Sequence, residues 1–150
     1  MKIILLFTLW TIIFTCAQSN SFTFLENSEL QPGEISFKKD CEPNLPLTHL
    51  AVKANPSKVE KGKPITFKGK VYANTDVKTS KILVKAKFND VDSFEQEKAL
   101  ENTTKAHFSF VYSFDVQVPS FVPQGKYNIM LYIVDEKGDH LSCLNALFEF

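Results

Sequence analysis

The stretch "AHFSFVYSFDVQV" (106–118) decides the fold class. Its even positions are Ala106, Phe108, Phe110, Tyr112, Phe114, Val116 and Val118, all apolar. Its odd positions are His107, Ser109, Val111, Ser113, Asp115 and Gln117. Successive side chains of an extended chain point to opposite faces, so a period of two describes a strand with one buried face and one wet face. Val111 is the one apolar residue on the wet side. Pro119 and Pro123 then stop the strand, because proline has no N–H to give a ladder.

The same pattern extends outward in both directions. In "ITFKGKVYA" (65–73), Ile65, Phe67, Gly69 and Val71 alternate with Thr66, Lys68, Lys70 and Tyr72. In "KILVKAKF" (81–88), Ile82, Val84, Ala86 and Phe88 stand opposite Lys81, Lys85 and Lys87. "YNIMLYIV" (127–134) is apolar on both sides, as a more central strand would be. "DEKGD" turns it, and "HLSCLNALFEF" (140–150) completes a hairpin. Upstream, "LTHLAV" (47–52) is a further strand, followed by the turn-rich "NPSKVEKGKP". The segment "SFEQEKALEN" (93–102) has no such alternation. It reads as a loop with at most one helical turn, since an isolated helix that short is marginal. Short strands between turn signals, with no long helical pattern and no repeat, predict an all-β, two-sheet antiparallel sandwich.

The amino terminus belongs to a different class of segment. "MKIILLFTLWTIIFTCAQSN" opens with Lys2, continues as an apolar run from Ile3 to Phe14, and ends in small and polar residues. A basic start, an apolar core and a small residue at the cut describe a secretory signal peptide over residues 1–17, cleaved after Ala17. The run is short for a membrane span. Residues 18–33, ending in Pro-Gly, form an irregular lead-in, and the domain proper is expected over 34–150.

Removal of the signal leaves no tryptophan, a dozen phenylalanines, and two cysteines, Cys41 and Cys143. In an oxidising compartment those two are expected to form a disulfide. The sequon at Asn102 ("NTT") is a candidate glycan site. The chain has no arginine, and its formal net charge is zero before the signal is removed. A near-neutral chain without arginine lacks the footprint of a nucleic-acid binder, so no nucleic-acid partner is expected.

Catalysis is not expected either. His49, His107 and His140 lie far apart, each on an expected wet face or beside a turn. There is no HExxH, GxSxG or CxxC, and Asp90 and Asp92 sit in a turn-like "NDVDS". No metal or cofactor site is expected, and "GKP" and "QGKY" are not followed by a helix that would cap an anion. What stands out is the aromatic load. Alternation alone does not distinguish a filled core from a lined cavity, and a filled core is the simpler reading of the residues.

A resemblance changes that balance. "FKKDC" (37–41), an apolar strand and "VKANPSKVEKGKPITFKGKVYA" resemble the opening of the ML family of secreted lipid-recognition domains. That group includes the Niemann–Pick type C cholesterol-binding protein and phosphatidylglycerol/phosphatidylinositol transfer proteins. "FSFVYSFDVQVPSFVPQGKYNIMLYIVDEKGDHLSCLNALFEF" (108–150) resembles the family's last three strands. The resemblance implies an immunoglobulin-like sandwich whose sheets part around an apolar cavity. It also implies that Cys41 and Cys143 occupy the family's bridged positions, pinning the last strand to the first part of the domain and holding the sheets together on one side. By position, the implied cavity wall is Phe67, Val84, Phe88, Phe108, Phe110, Tyr112, Phe114, Tyr127, Ile129, Leu131 and Phe148. The chain lacks the two further short-range disulfides and the tryptophans of the cholesterol-binding members, and no glycine follows Cys41.

The implied function is that of a secreted or endolysosomal lipid carrier. It would be a monomer holding a sterol or phospholipid and touching membranes, or a lipid-accepting membrane protein, only transiently. The rival class is an immunoglobulin-like extracellular interaction module with a filled core. An enzyme inhibitor or activator is a third.

Overall fold

The computed structural model describes residues 31–150, so the expected signal segment 1–17 and residues 18–30 of the expected lead-in lie outside the described residues. Among the described residues eight strands follow one another: β1 (Ser36–Lys39), β2 (Leu47–Asn55), β3 (Pro64–Ala73), β4 (Val77–Phe88), β5 (Val91–Thr104), β6 (Ser109–Gln117), β7 (Lys126–Val134) and β8 (His140–Glu149). They pair antiparallel into a five-stranded sheet, β1-β8-β7-β4-β5, and a three-stranded sheet, β2-β3-β6. The two sheets pack as a sandwich, the fold class that the alternation predicts.

The alternating residues explain how the sheets meet. Ile65, Phe67 and Val71 of β3 and Phe114 of β6 are fully buried, and Phe67 stands directly opposite Phe114. From the other sheet, Ile82 and Val84 of β4, Ile129, Leu131 and Ile133 of β7, and Leu144, Ala146 and Phe148 of β8 join the same core. Gly69 is required in this packing because its cross-strand partner is Tyr112. A Cβ there would lie 2.3 Å from the tyrosine ring. β7, central in its sheet, buries both faces from Leu131 onward, as its apolar residues on both sides predict.

Four expectations need correction, the last of them concerning the disulfide. The loop expected over 93–102 is the middle of β5, a 14-residue edge strand. Its outward row finds charge partners on β4 instead of an apolar stripe: Lys81 Nζ lies 2.6 Å from Glu97 Oε1, and Lys85 and Lys87 meet Glu95 and Asp92 at 3.6 and 3.8 Å. Salt-bridged alternation of this kind supports a strand without a hydrophobic signature. Phe108 is not on the inward face. It precedes β6 in a turn where His107 has φ of 70°, and it is 66% exposed. His49 is not wet but buried. A bulge in the β2–β3 register between His49 and Ala51 throws Leu50 outward, so Leu47 and His49 share the inward face.

The disulfide forms between Cys41 and Cys143, with Cα atoms 5.3 Å apart and a sequence separation of 102. It does not clamp one sheet to the other. β1 and β8 are neighbours in the same sheet, with Lys39 opposite Leu144. The bridge therefore fastens the point at which the chain leaves the five-stranded sheet on its way to β2. It sits on that sheet's outer face with Tyr132, Val134, Leu45, Leu83 and Met130. Glu42 reinforces the same connection through His140 Nδ1 at 3.1 Å.

Candidate functional site

The inner face of the five-stranded sheet is built in rows across β4, β7 and β8. Phe88 stands opposite Tyr127, and Tyr127 opposite Phe148. One step inward, Ala86 stands opposite Ile129, and Ile129 opposite Ala146. The next row is Val84, Leu131 and Leu144. The middle row thus carries two alanines where its neighbours carry large side chains. Ala146 is fully buried beside its β1 partner Phe37, whereas Ala86 at the β4 end of the row borders space, since sheets held at a fixed spacing close fully only where side chains fill the gap.

A pocket of about 330 Å³ lies at this place. It is walled by Ala86, Phe88, Tyr127, Ile129 and Phe148 from the larger sheet, by Val116 and Gln117 from the end of β6, and by Val118 just after it. Ser93 and Phe94 of β5 and the β6–β7 connection Pro119–Pro123 complete it. Its mouth is open to water, since Phe94 is 45% and Phe121 84% exposed. No charged side chain lines it. The hydroxyls that do are satisfied within the protein. Ser93 Oγ donates to the Ala86 carbonyl at 3.0 Å, and Tyr127 OH to the Pro123 carbonyl at 2.9 Å. The aromatic end is rigidly stacked, with Tyr127 parallel to Phe148 at 5.1 Å and Phe88 at 5.0 Å on the other side. Gly125 allows this approach: with φ of 149° it would set a Cβ 2.6 Å from the Phe88 ring. Such a site is apolar apart from two satisfied hydroxyls and the Gln117 amide. It can exclude water from carbon.

Of the eleven residues implied by the resemblance, Phe88, Tyr127, Ile129 and Phe148 come together around this pocket. Phe67, Val84, Tyr112, Phe114 and Leu131 are buried in the packed core beyond it, Phe110 is half-buried against that core, and Phe108 lies outside. Ala86, Phe94 and the segment Val116–Pro123 were not among the eleven. Apolar Phe121 and Val122 between two prolines are the sequence signal that would have marked the mouth. Asn102 lies half-buried on β5, opposite Thr79.

A second constellation sits in the core, away from the pocket lining. His49 Nε2 is 3.1 Å from Tyr112 OH, and its Nδ1 is 3.3 Å from Asp40 Oδ1, which also accepts the His49 backbone N–H at 3.1 Å. With Nδ1–H donating to Asp40, Nε2 accepts the tyrosine hydroxyl, so every polar atom is used by a neutral ring. Burial lowers the His49 pKa below its ordinary value, partly opposed by Asp40 and reinforced by Lys39; burial alone pushes the Tyr112 hydroxyl up. The unfolded chain, with histidine near 6.5, then binds a proton that the folded chain refuses. Stability from this site is complete above about pH 6.5 and is lost as pH falls from there through the lower folded value. Thermal melts between neutral pH and pH 5 are expected to show that decline. His49→Gln is expected to flatten it, and an unchanged slope in the variant would contradict the assignment.

Comparison with known proteins places the fold. The profile of the ML domain family matches residues 36–150. A Niemann–Pick type C2 protein from Japanese carpenter ant is similar with a TM-score of 0.61 at 18% identity, over 76% of this chain and 98% of that one. The C-terminal domain of wzt is similar with a TM-score of 0.51 at 11% identity, over 79% of this chain and 81% of that one. Chicken MD-1, solved with lipid IVa, gives 0.45 at 12% identity, over 78% and 99%. None of the curated proteins matches the sequence. At such identities the likeness to the first two is one of architecture. The family match is of another kind, running from β1 to the last residue and taking in both bridged cysteines and the whole pocket: the chain belongs to the ML domain family of lipid-recognition domains.

Proposed function

We propose that this protein is a lipid carrier of the secretory or endolysosomal lumen, with the apolar part of its ligand in the pocket between Ala86, Ile129 and Val116. The observation that carries the reading is an open, uncharged pocket with satisfied hydroxyls, built on the inner face where small Ala86 stands between larger side chains. Each methylene moved from water into such a pocket contributes roughly 0.8 kcal/mol, enough over one chain to hold a lipid that water alone would not keep dispersed. The sterol and the phospholipid implied by the resemblance are both ligands of this kind. The carrier works as a monomer, and the exposed rings of Phe94 and Phe121 at the mouth suit brief contact with a membrane or a lipid-accepting membrane protein. Secretion, the disulfide and a glycan at Asn102 belong to the same reading.

A second reading has its own support. Phe67, Phe114, Ile65, Val71 and Val84 fill the centre of the sandwich completely, as they would in an extracellular interaction module. Extraction of the purified mature protein with organic solvent, followed by mass spectrometry, separates the two. A carrier yields lipid close to one per chain. An interaction module yields none and binds neither sterol nor phospholipid probes.

A further inference from the structure

Resting on the carrier reading, we infer that the pocket takes a single unbranched acyl chain of about ten to twelve carbons, end-on, with the head group left in water. The length follows from the volume. A pocket of about 330 Å³ holds about eleven groups of the size of a water molecule, and a methylene is of similar size. A sterol's fused rings and side chain carry more than twice as many heavy atoms, and a diacyl phospholipid more again.

The length is also fixed by a floor. Inward of the row Ala86–Ile129 comes Val84–Leu131, and inward of Val116 on β6 comes Phe114. Val84 and Phe114 are fully buried and Leu131 is 2% exposed, so the chain's methyl end meets packed side chains there. The position of the head group follows from the lining. The polar side chains in it are Ser93, Gln117 and Tyr127, and two of the three already donate internally. No cation lines the pocket to clamp a carboxylate or phosphate.

Titration calorimetry with saturated fatty acids from octanoate to stearate tests this. Affinity is expected to rise about fourfold per added methylene and then level off near laurate. Lauroyl lysophosphatidylcholine bound as tightly as laurate would support a free head group and one phospholipid chain as the source. Laurate bound alone would keep the single chain and make the free acid its source, but would overturn a head group left in water. Val84→Ala and Leu131→Ala, which lower the floor, are expected to move the plateau toward myristate. Affinity that keeps rising through stearate, cholesterol that displaces laurate, or a plateau unmoved in both folded variants would overturn this inference while leaving the carrier reading intact. No binding by any chain or by cholesterol would sink both.

Discussion

Ala86→Phe is expected to abolish lipid uptake, weakening affinity by at least about 100-fold, while the sandwich stays folded. Ala86 faces the pocket from β4 between Ile129 and the β5 residues that close the edge. A benzyl group there would occupy about half of a 330 Å³ space, removing contact with several methylenes at roughly 0.8 kcal/mol each. It introduces no polar group, and the neighbouring rings of Phe88, Tyr127 and Phe148 offer apolar surface to pack on. Filling an existing void adds buried area, so the melting temperature should hold or rise slightly, unlike the cost of overfilling a closed core. Circular dichroism melts with binding of a fluorescent acyl probe would check both halves. Uptake within a few-fold of the wild type, with the variant folded, would mean that lipid sits elsewhere.

Removing the disulfide is expected to have the largest effect on stability. The bridge closes a loop of 102 residues, for which the chain-entropy account gives about 4–5 kcal/mol. For a domain of this size that corresponds to a fall of about 15 °C in melting temperature for the Cys41→Ala/Cys143→Ala protein. The bridge lies on the outer face of the five-stranded sheet and the pocket on the inner face, so acyl affinity measured well below the transition should change little. A melting temperature within a few degrees of the wild type would show that Glu42–His140 and the Asp40–His49 bonds already hold the crossover in place.

Where burial follows a strict period of two, the sequence is legible. The inward rows of β3, β4 and β8, and Tyr112 to Val116 on β6, are buried or half-buried as alternation requires, with Gly69 fitted to the Tyr112 ring. The reading failed where something other than burial organises the strand. β5 is held at its outer face by lysines of β4, so it carries no apolar stripe. His49 is turned inward by a bulged Leu50, and Phe108 is turned outward by the left-handed His107, each a single-residue shift in phase.

The site was legible only in part for a related reason. Large apolar residues announce themselves in a sequence, but a pocket is made by what is small. Ala86 meets Ile129, Tyr127 and Phe148 around one space only after β4 and β8 have both paired with β7. A grouping of that kind has no local signature. The resemblance supplied the idea of a cavity and eleven inward positions. Pairing and packing decide which of them leave space, and place that space at the end of the sandwich instead of its centre.

The most direct measurement is a crystal structure of the mature protein grown with laurate. Continuous density is expected for one extended chain, its methyl end against Val84 and Leu131, its middle between Ala86, Ile129 and Val116, and its carboxylate beyond Phe121 in solvent. An empty pocket at this place, with density for the chain on any other surface, would contradict this.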